Sequence, residues 1–356
     1  MKKKVVVIGG GFVGAMVSRK LEKKFQVVLI DTKDYFEFTP SILRTIVKPK
    51  HMRKIQVLHK HYLHRARVIH GSVKEISDGK VKVDVAVSGL HKKKSFDYDY
   101  LVIASGSSYS LPIKESNLVI STRANNLRDS YDKLCRAREV LIIGGGLVGI
   151  ELAGEILDHY DDKKIKIVHS RNHLIPRNNR KAIKYAEKFL EKRGVEIVFG
   201  ERIEKNSKGV FVTDKKRKLK PDVAFLCTGI RPNFEFMKKN FGKALNEGNQ
   251  IEVNSFLQMK NGKDLDKNIF VGGDIASVKE EKTAQNAEKH ADIIVKNICR
   301  LDSGKKLCKY SPEKRFMVIS LGMYDGILTK GNFSLGGWIP AFLKKFVEWK
   351  TMEKYR

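Results

Sequence analysis

Val5-Val6-Val7-Ile8-Gly9-Gly10-Gly11-Phe12-Val13-Gly14 decides how the rest of this chain is read. Its first four residues are an uninterrupted β-branched run, as expected of a strand buried on both faces of a parallel sheet. A helical stretch, Ala15 to Lys24, follows the glycines, and Val27 to Ile30 forms the next strand, ending at Asp31. Gly9 permits the tight turn, Gly11 lets the backbone approach a pyrophosphate, and Gly14 lets helix pack closely on strand. The free N–H groups and partial positive charge at the helix N-terminus suit that anion. Asp31 stands where a carboxylate accepts the ribose hydroxyls of an adenosine. A lone GxGxxG is weak evidence, but here strand, turn, helix, strand and terminal acid occur in order.

A second copy lies further along the chain. Glu139 to Ile143 is again strand-like, and Gly144-Gly145-Gly146-Leu147-Val148-Gly149 repeats the fingerprint. A helix is expected through Ile150 to Glu155, then a strand from Ile165 to His169. Two such units imply two nucleotides on one chain, which points to a redox enzyme passing electrons between them. The copies differ at the second strand's end, which reads His169-Ser170-Arg171 with no carboxylate. Arg171 either meets a 2′-phosphate, making NADPH as suitable a donor as NADH, or simply points into water.

Composition narrows the field. The 356 residues contain 70 Lys plus Arg against 40 Asp plus Glu, a net charge of +30. That balance favours anionic surfaces, whether phosphate cofactors, acidic lipids or nucleic acid. The four cysteines, Cys135, Cys227, Cys299 and Cys308, are scattered with no CxxC pair. This speaks against a disulfide scaffold, a zinc knuckle or an iron–sulfur cluster, and suits a reducing cytosol. No apolar run is long enough to span a membrane. Lys2 to Lys4 before an apolar stretch imitate a signal peptide, but the fingerprint glycines inside that stretch read as strand and turn. His59, His61 and His64 lack accompanying Cys or acidic ligands at metal spacing, so no metal is expected.

Three further stretches make the reading specific. Tyr98 to Gly106, with the small-residue turn Ala104-Ser105-Gly106, has a partner in Asp222 to Thr228-Gly229. The third is Asn268 to Gly273-Asp274. With the two fingerprints, they identify residues 1 to about 300 as resembling the FAD-dependent pyridine nucleotide oxidoreductase superfamily. The nearer resemblance is to type II NADH dehydrogenases and the ferroptosis-suppressor flavoproteins. It is carried by Asp34 to Pro40 with Leu43-Arg44, by Thr283-Ala284-Gln285-Asn286-Ala287-Glu288-Lys289, and by Tyr310 to Gly326 with Trp349 to Met352. Lys289 departs from the family by replacing the second glutamine of the quinone motif.

The resemblance implies an α/β fold of two Rossmann-like domains, the second inserted in the first. Residues 1–112 and 262–310 would bind FAD, 113–261 would bind NAD(P)H, and 311–356 would form a C-terminal region. Hydride would pass from the nicotinamide to the flavin and electrons onward to a quinone, with the cofactors carrying the chemistry and the protein orienting them. Implied cofactor contacts begin with Gly9, Gly11, Phe12, Val13, Gly14, Asp31, Lys33, Arg44 and Val73. They continue at Ala104, Ser105 and Gly106, and in the second fingerprint at Gly144, Gly146, Leu147, Val148 and Gly149. His169, Arg171, Thr228, Gly229, Gly273, Asp274 and Ala284 complete the set. Glu151, Gln285 and Lys289 are the implied catalytic residues. Glu151 either lies by the nicotinamide or quinone, assisting proton delivery, or is an ordinary first-turn carboxylate. Glu155 reads as structural. Disulfide reductases of the superfamily need a cysteine pair soon after the adenosine acid, and no cysteine precedes Cys135.

In the tail, Trp338, Ile339, Phe342, Leu343, Phe346 and Val347 recur at helical spacing, with Lys344, Lys345, Glu348 and Lys350 between them. Pro340 suits the first turn of such a helix. This helix either lies in the interface of an anionic membrane or docks its apolar face on the FAD domain. The first reading gives a peripheral quinone reductase on the cytoplasmic, inner face of a membrane; a homodimer is compatible with the sequence. A soluble oxidoreductase with an acidic protein acceptor such as ferredoxin or rubredoxin is the second. A basic nucleic-acid-binding flavoprotein ranks third, for the basic residues are dispersed and no nucleic-acid motif occurs.

Overall fold

The computed structural model describes residues 2–87, 90–109, 113, 119–313 and 316–356. Residue 112, the expected first domain boundary, lies outside the described residues. Strand Lys4–Ile8 sits inside a large sheet, flanked in parallel by Gln26–Asp31 and Tyr100–Ile103. Asp264–Val271 and Arg67–Ser77 extend the parallel set on either side. Antiparallel strands Lys80–Val87 and Leu90–Asp97 close one edge, and Gln258–Asn261 closes the other. The chain thus re-enters this sheet by Gln258, earlier than the boundary at 262 read from sequence.

Alternation along the central strand explains its unbroken β-branched run. Val5 and Val7 enter one core cluster, while Val6 and Ile8 enter the cluster on the opposite face. Both faces being covered, no polar position is needed. Helix Phe12–Leu21 packs beside helix Ala284–Asp302 on the first of these faces. The second unit is a parallel sheet in the order Glu196–Phe199, Lys164–His169, Glu139–Ile143, Val223–Leu226. Val210–Thr213 and Lys218–Leu219 form a small hairpin beside it.

Two connections join the units. Ser107–Ser108 pairs with Arg231–Pro232, and Ser105 and Asn233 exchange side-chain to backbone hydrogen bonds at 2.8 Å. Both fingerprint helices begin earlier than expected, at Phe12 and Leu147, because Gly11 and Gly146 are their N-caps.

The C-terminal region holds an element the sequence did not disclose. Met317–Ser320, Gly326–Lys330 and Phe333–Gly337 form an antiparallel three-stranded sheet. The tail helix, Trp338–Met352, follows and packs on it. Pro340 is in its first turn, where a missing N–H costs nothing. No helix among the described residues is long and apolar enough to cross a membrane.

Candidate functional site

The two glycine turns are built alike. Gly9 has φ +93° and Gly144 φ +114°, a region that penalises any side chain. A Cβ at Gly9 would lie 2.3 Å from the Ala104 carbonyl oxygen, and one at Gly144 2.3 Å from that of Cys227. At Gly14 it would lie 1.7 Å from the Gly9 oxygen, and at Gly149 2.0 Å from the Gly144 oxygen. These four glycines are therefore required by the fold itself. Gly11 and Gly146 are different, since a Cβ at either would meet nothing within 4 Å among the described residues. None of those residues demands glycine there, and the open space over each turn fits a pyrophosphate against the helix N-terminus. On this test the residues present fit FAD at the first turn and a second dinucleotide at the other.

Phe12 and Val13 open the first helix. Phe12 meets Phe36 and Phe38 edge-on, with ring centroids 5.3 and 5.7 Å apart, and Val13 lies against Gly273. Asp31 is buried at the end of its strand, where His59 Nε2 meets its Oδ2 at 3.0 Å. His59 is 0% exposed, and its Nδ1 is 2.6 Å from the Tyr62 hydroxyl. Burial alone would raise the Asp31 pKa, but the His59 hydrogen bond and nearby Lys33 bring it below the ordinary carboxylate value. In the sequence His59 stands out only as one of three histidines without metal-spaced partners. Its position 28 residues from Asp31 leaves no local signal.

Asp274 faces the same end of the sheet. Its Oδ2 accepts from Ser107 Oγ at 2.5 Å, and its backbone oxygen accepts from Gln250. The neighbouring Gly273 N–H donates to His290 Nδ1 at 3.0 Å. The far side of that ring is 2.9 Å from Glu280, which also accepts from Tyr310. Burial raises the Glu280 pKa, and His290 and Tyr310 more than reverse it. Ala284 begins the next helix, behind Thr283, whose hydroxyl oxygen accepts from Asn286 N–H. Lys33 places its ammonium over the Tyr35 ring, and Val73 packs against the core at a bulge in Arg67–Ser77.

In the second unit, Leu147 and Val148 open the helix beyond Gly146. His169 is buried at the strand end and Arg171 is exposed beyond it. Gly229 has φ +111°, and its N–H donates to the Tyr109 hydroxyl. Cys227, just before Thr228, is buried with its thiol pKa pushed up to about 12, which leaves it inert.

A small cleft lies where the two units meet the tail helix. The structure brings Pro40, Arg44, Glu151 and Lys344 together there. Arg44 forms a two-pronged ion pair with buried Glu155, its Nη2 2.7 Å from Oε1. Burial would lower the Arg44 pKa, and Glu155 more than compensates. Glu151 Oε1 accepts from the Ser320 N–H at 2.9 Å and from the Lys344 ammonium. Gln285 and Lys289 do not line this cleft. They share an exposed helix face, and Lys289 lies 3.9 Å from Glu313.

The tail helix sits with its charged side inward. Besides Lys344, Glu348 pairs with His51 at 3.1 Å, and Lys354 beyond its end pairs with Glu288 at 2.9 Å. Trp338, Phe342 and Trp349 are 70%, 61% and 57% exposed. The expectation that this helix docks its apolar face on the FAD domain is therefore not met. The buried ion pairs fix its orientation the other way round.

Two turns of one design, each ending a parallel strand, define an FAD- and NAD(P)-dependent oxidoreductase. The chain belongs to the pyridine nucleotide-disulphide oxidoreductase family, which it matches over residues 3–291. It is 33% identical to apoptosis-inducing factor homolog A of Dictyostelium discoideum, covering 96% of this chain and 89% of that one. It is 28% identical to ferroptosis suppressor protein 1 of Taeniopygia guttata over 98% of this chain and 95% of that one. Its fold is similar to that of NDH2 from Plasmodium falciparum, solved in complex with NADH, with a TM-score of 0.83 at 14% identity. That match covers 100% of this chain and 97% of the other.

Proposed function

We propose that the chain is an NAD(P)H:quinone oxidoreductase that works on the cytoplasmic face of a membrane. The observation that carries this reading is the inverted tail helix, whose partly buried Lys344 closes the Glu151 cleft while its aromatic side faces solvent. Exposed Trp and Phe flanked by Lys345 and Lys350 suit the headgroup region of an anionic bilayer, where a lipid-dissolved acceptor would arrive. An acidic protein acceptor would have no use for such an apolar face.

In this reading the large sheet with residues 1–112 and the strands from Gln258 onward holds FAD, and the smaller sheet holds the nicotinamide nucleotide. FAD, when bound, supplies the relay that takes two electrons from the donor and gives them to the acceptor. The chain's own part is placement and protons. Gly11 and Gly146 admit the two pyrophosphates, Asp31 takes the adenosine ribose of FAD, and Asp274 its ribityl side. Glu151, held by Lys344 and the Ser320 N–H, carries a proton to the reduced acceptor. Gln285 and Lys289, on an exposed helix face outside that cleft, take no part in this step.

Anaerobic rapid mixing of native and Glu151→Gln protein separates the two half-reactions. Reduction of the bound flavin by NADH should be unchanged, and its reoxidation by a ubiquinone analogue slowed roughly a hundredfold, the usual weight of a positioned acid or base. Native protein reoxidised quickly by ferredoxin and not by any quinone would replace this acceptor with a protein one.

A further inference from the structure

Beyond the tail helix the chain turns back into the first unit. Tyr355 is 2% exposed, and its ring stacks on Phe36 with centroids 4.1 Å apart and planes at 25°. The same ring meets Tyr62 edge-on at 5.0 Å. Its chain neighbours hold it there. The Lys354 backbone oxygen accepts from Arg19, on the first fingerprint helix, and the Lys354 ammonium pairs with Glu288. Arg356 Nη2 donates to the Lys54 oxygen at 3.2 Å.

Both rings that Tyr355 touches lead to the first glycine turn. Phe36 meets Phe12, the residue after Gly11, edge-on at 5.3 Å. Tyr62 is linked to Asp31 through His59. Burial pushes the Tyr62 pKa well above the usual phenol value and keeps it protonated. Its hydroxyl therefore donates to His59 Nδ1 at 2.6 Å, which leaves Nε2–H to donate to Asp31 Oδ2 at 3.0 Å. A Cβ at Gly10 would lie 2.5 Å from Asp31 Oδ2 and from His59 Nε2, so this pair lies against the turn itself. Phe36, His59, Tyr62 and Tyr355 are all buried. In so close-packed a group, no ring shifts without displacing the next.

We propose that Tyr355 is a positioning residue for FAD. It wedges Phe36 and Tyr62 in place, and so sets the Gly11 turn and the Asp31 carboxylate for the dinucleotide. This rests on the first turn holding FAD, as proposed above, and does not depend on the acceptor. A site ordered in advance binds more tightly, because FAD need not bring that order about itself. The coupling is reciprocal: whatever docked Tyr355 adds to FAD affinity, bound FAD adds to the docking of Tyr355. Tyr355 follows directly on helix Trp338–Met352, so a loaded flavin site also steadies the helix that carries the exposed aromatic face.

The test dilutes FAD-loaded full chain, native and Tyr355→Leu, and follows the fluorescence of the flavin released. Leucine keeps the space filled with an apolar side chain and removes both ring contacts. Release should quicken about tenfold, the weight of two aromatic contacts, while Tyr355→Phe should stay within about twofold of native. A contact that merely held the fold together would lower the melting temperature of loaded and flavin-free protein alike, without moving the release rate. Hydrogen exchange on native protein needs no variant. Amides of residues 351–356 should exchange about tenfold more slowly with FAD bound than after its removal. Equal release from native and Tyr355→Leu, or exchange in 351–356 indifferent to FAD, overturns the role given to Tyr355. Native protein that binds no FAD overturns the proposed placement of the flavin, and the role of Tyr355 with it.

Discussion

The first and second glycine turns are nearly superimposable in what they forbid and differ in what they leave for a ligand. At Gly9 and Gly144, and again at Gly14 and Gly149, a methyl group would strike the same backbone oxygens in both units. At the middle glycines the neighbours part company. Gly10 abuts Asp31 and His59, a bonded acid–imidazole pair, while Gly145 abuts Leu174 and His169, whose Nε2 has no hydrogen-bond partner among the described residues. One design closes a strand onto a helix twice, and the side chains at the two strand ends differ.

The comparison breaks first at the packing glycines. Gly14→Ala and Gly149→Ala should each cost about 3 kcal/mol or more, because the clash is with backbone that cannot step aside. Thermal melts should show both losses, and a melting temperature unchanged in either would mean that unit is not closed as described.

Next in size is the clamp between the units. Arg44→Met leaves Glu155 buried without its cation, a loss of about 3 kcal/mol by analogy with other broken buried pairs. The double variant Arg44→Met, Glu155→Leu should recover most of it. A double variant as unstable as the single one would show that shape, and not charge, holds this contact.

A smaller effect sharpens the contrast at the strand ends. Because the folded pKa of Asp31 is lowered, its contribution is present above its unfolded value of about 4 and is lost as pH falls through the folded one. In His59→Asn the burial that raises the pKa is no longer opposed by the imidazole. Acid unfolding followed by circular dichroism should then begin at higher pH than in the native protein. Coincident acid transitions would remove His59 from this role.

The tail face should contribute least to stability. Trp338→Ser with Phe342→Ser should change unfolding free energy by about 0.5 kcal/mol or less, since both side chains are already exposed. The same pair should release the protein from anionic vesicles in a flotation assay. Loss of stability without loss of vesicle binding would mean the face packs against protein.

What was legible in the sequence follows the same division. Gly9, Gly14 and their second copies announce themselves because a turn and a close approach are constraints within a few residues. Asp31 and His169 were readable as strand ends for the same reason. His59 and Lys344 were not, because each meets its carboxylate only after the chain has folded back over 28 and 193 residues. The tail helix was found by its period, yet its orientation was not. Periodicity shows that one side is apolar, and the pairs of Lys344 and Glu348 with distant residues decide which side faces in. The small sheet before it, whose strands are four or five residues long, left no signal above its turns.

The central claim is that one turn holds the flavin and the other its electron donor. It is tested most directly by an anaerobic titration with NADH of native, Gly11→Ala and Gly146→Ala proteins, followed by visible absorbance. Neither substitution meets any atom of the described residues within 4 Å, so all three should fold. The account predicts that the native protein is yellow and bleaches, that Gly11→Ala is colourless, and that Gly146→Ala is yellow and resists bleaching. A colourless Gly146→Ala beside a yellow Gly11→Ala, or bleaching indifferent to Gly146, would contradict it.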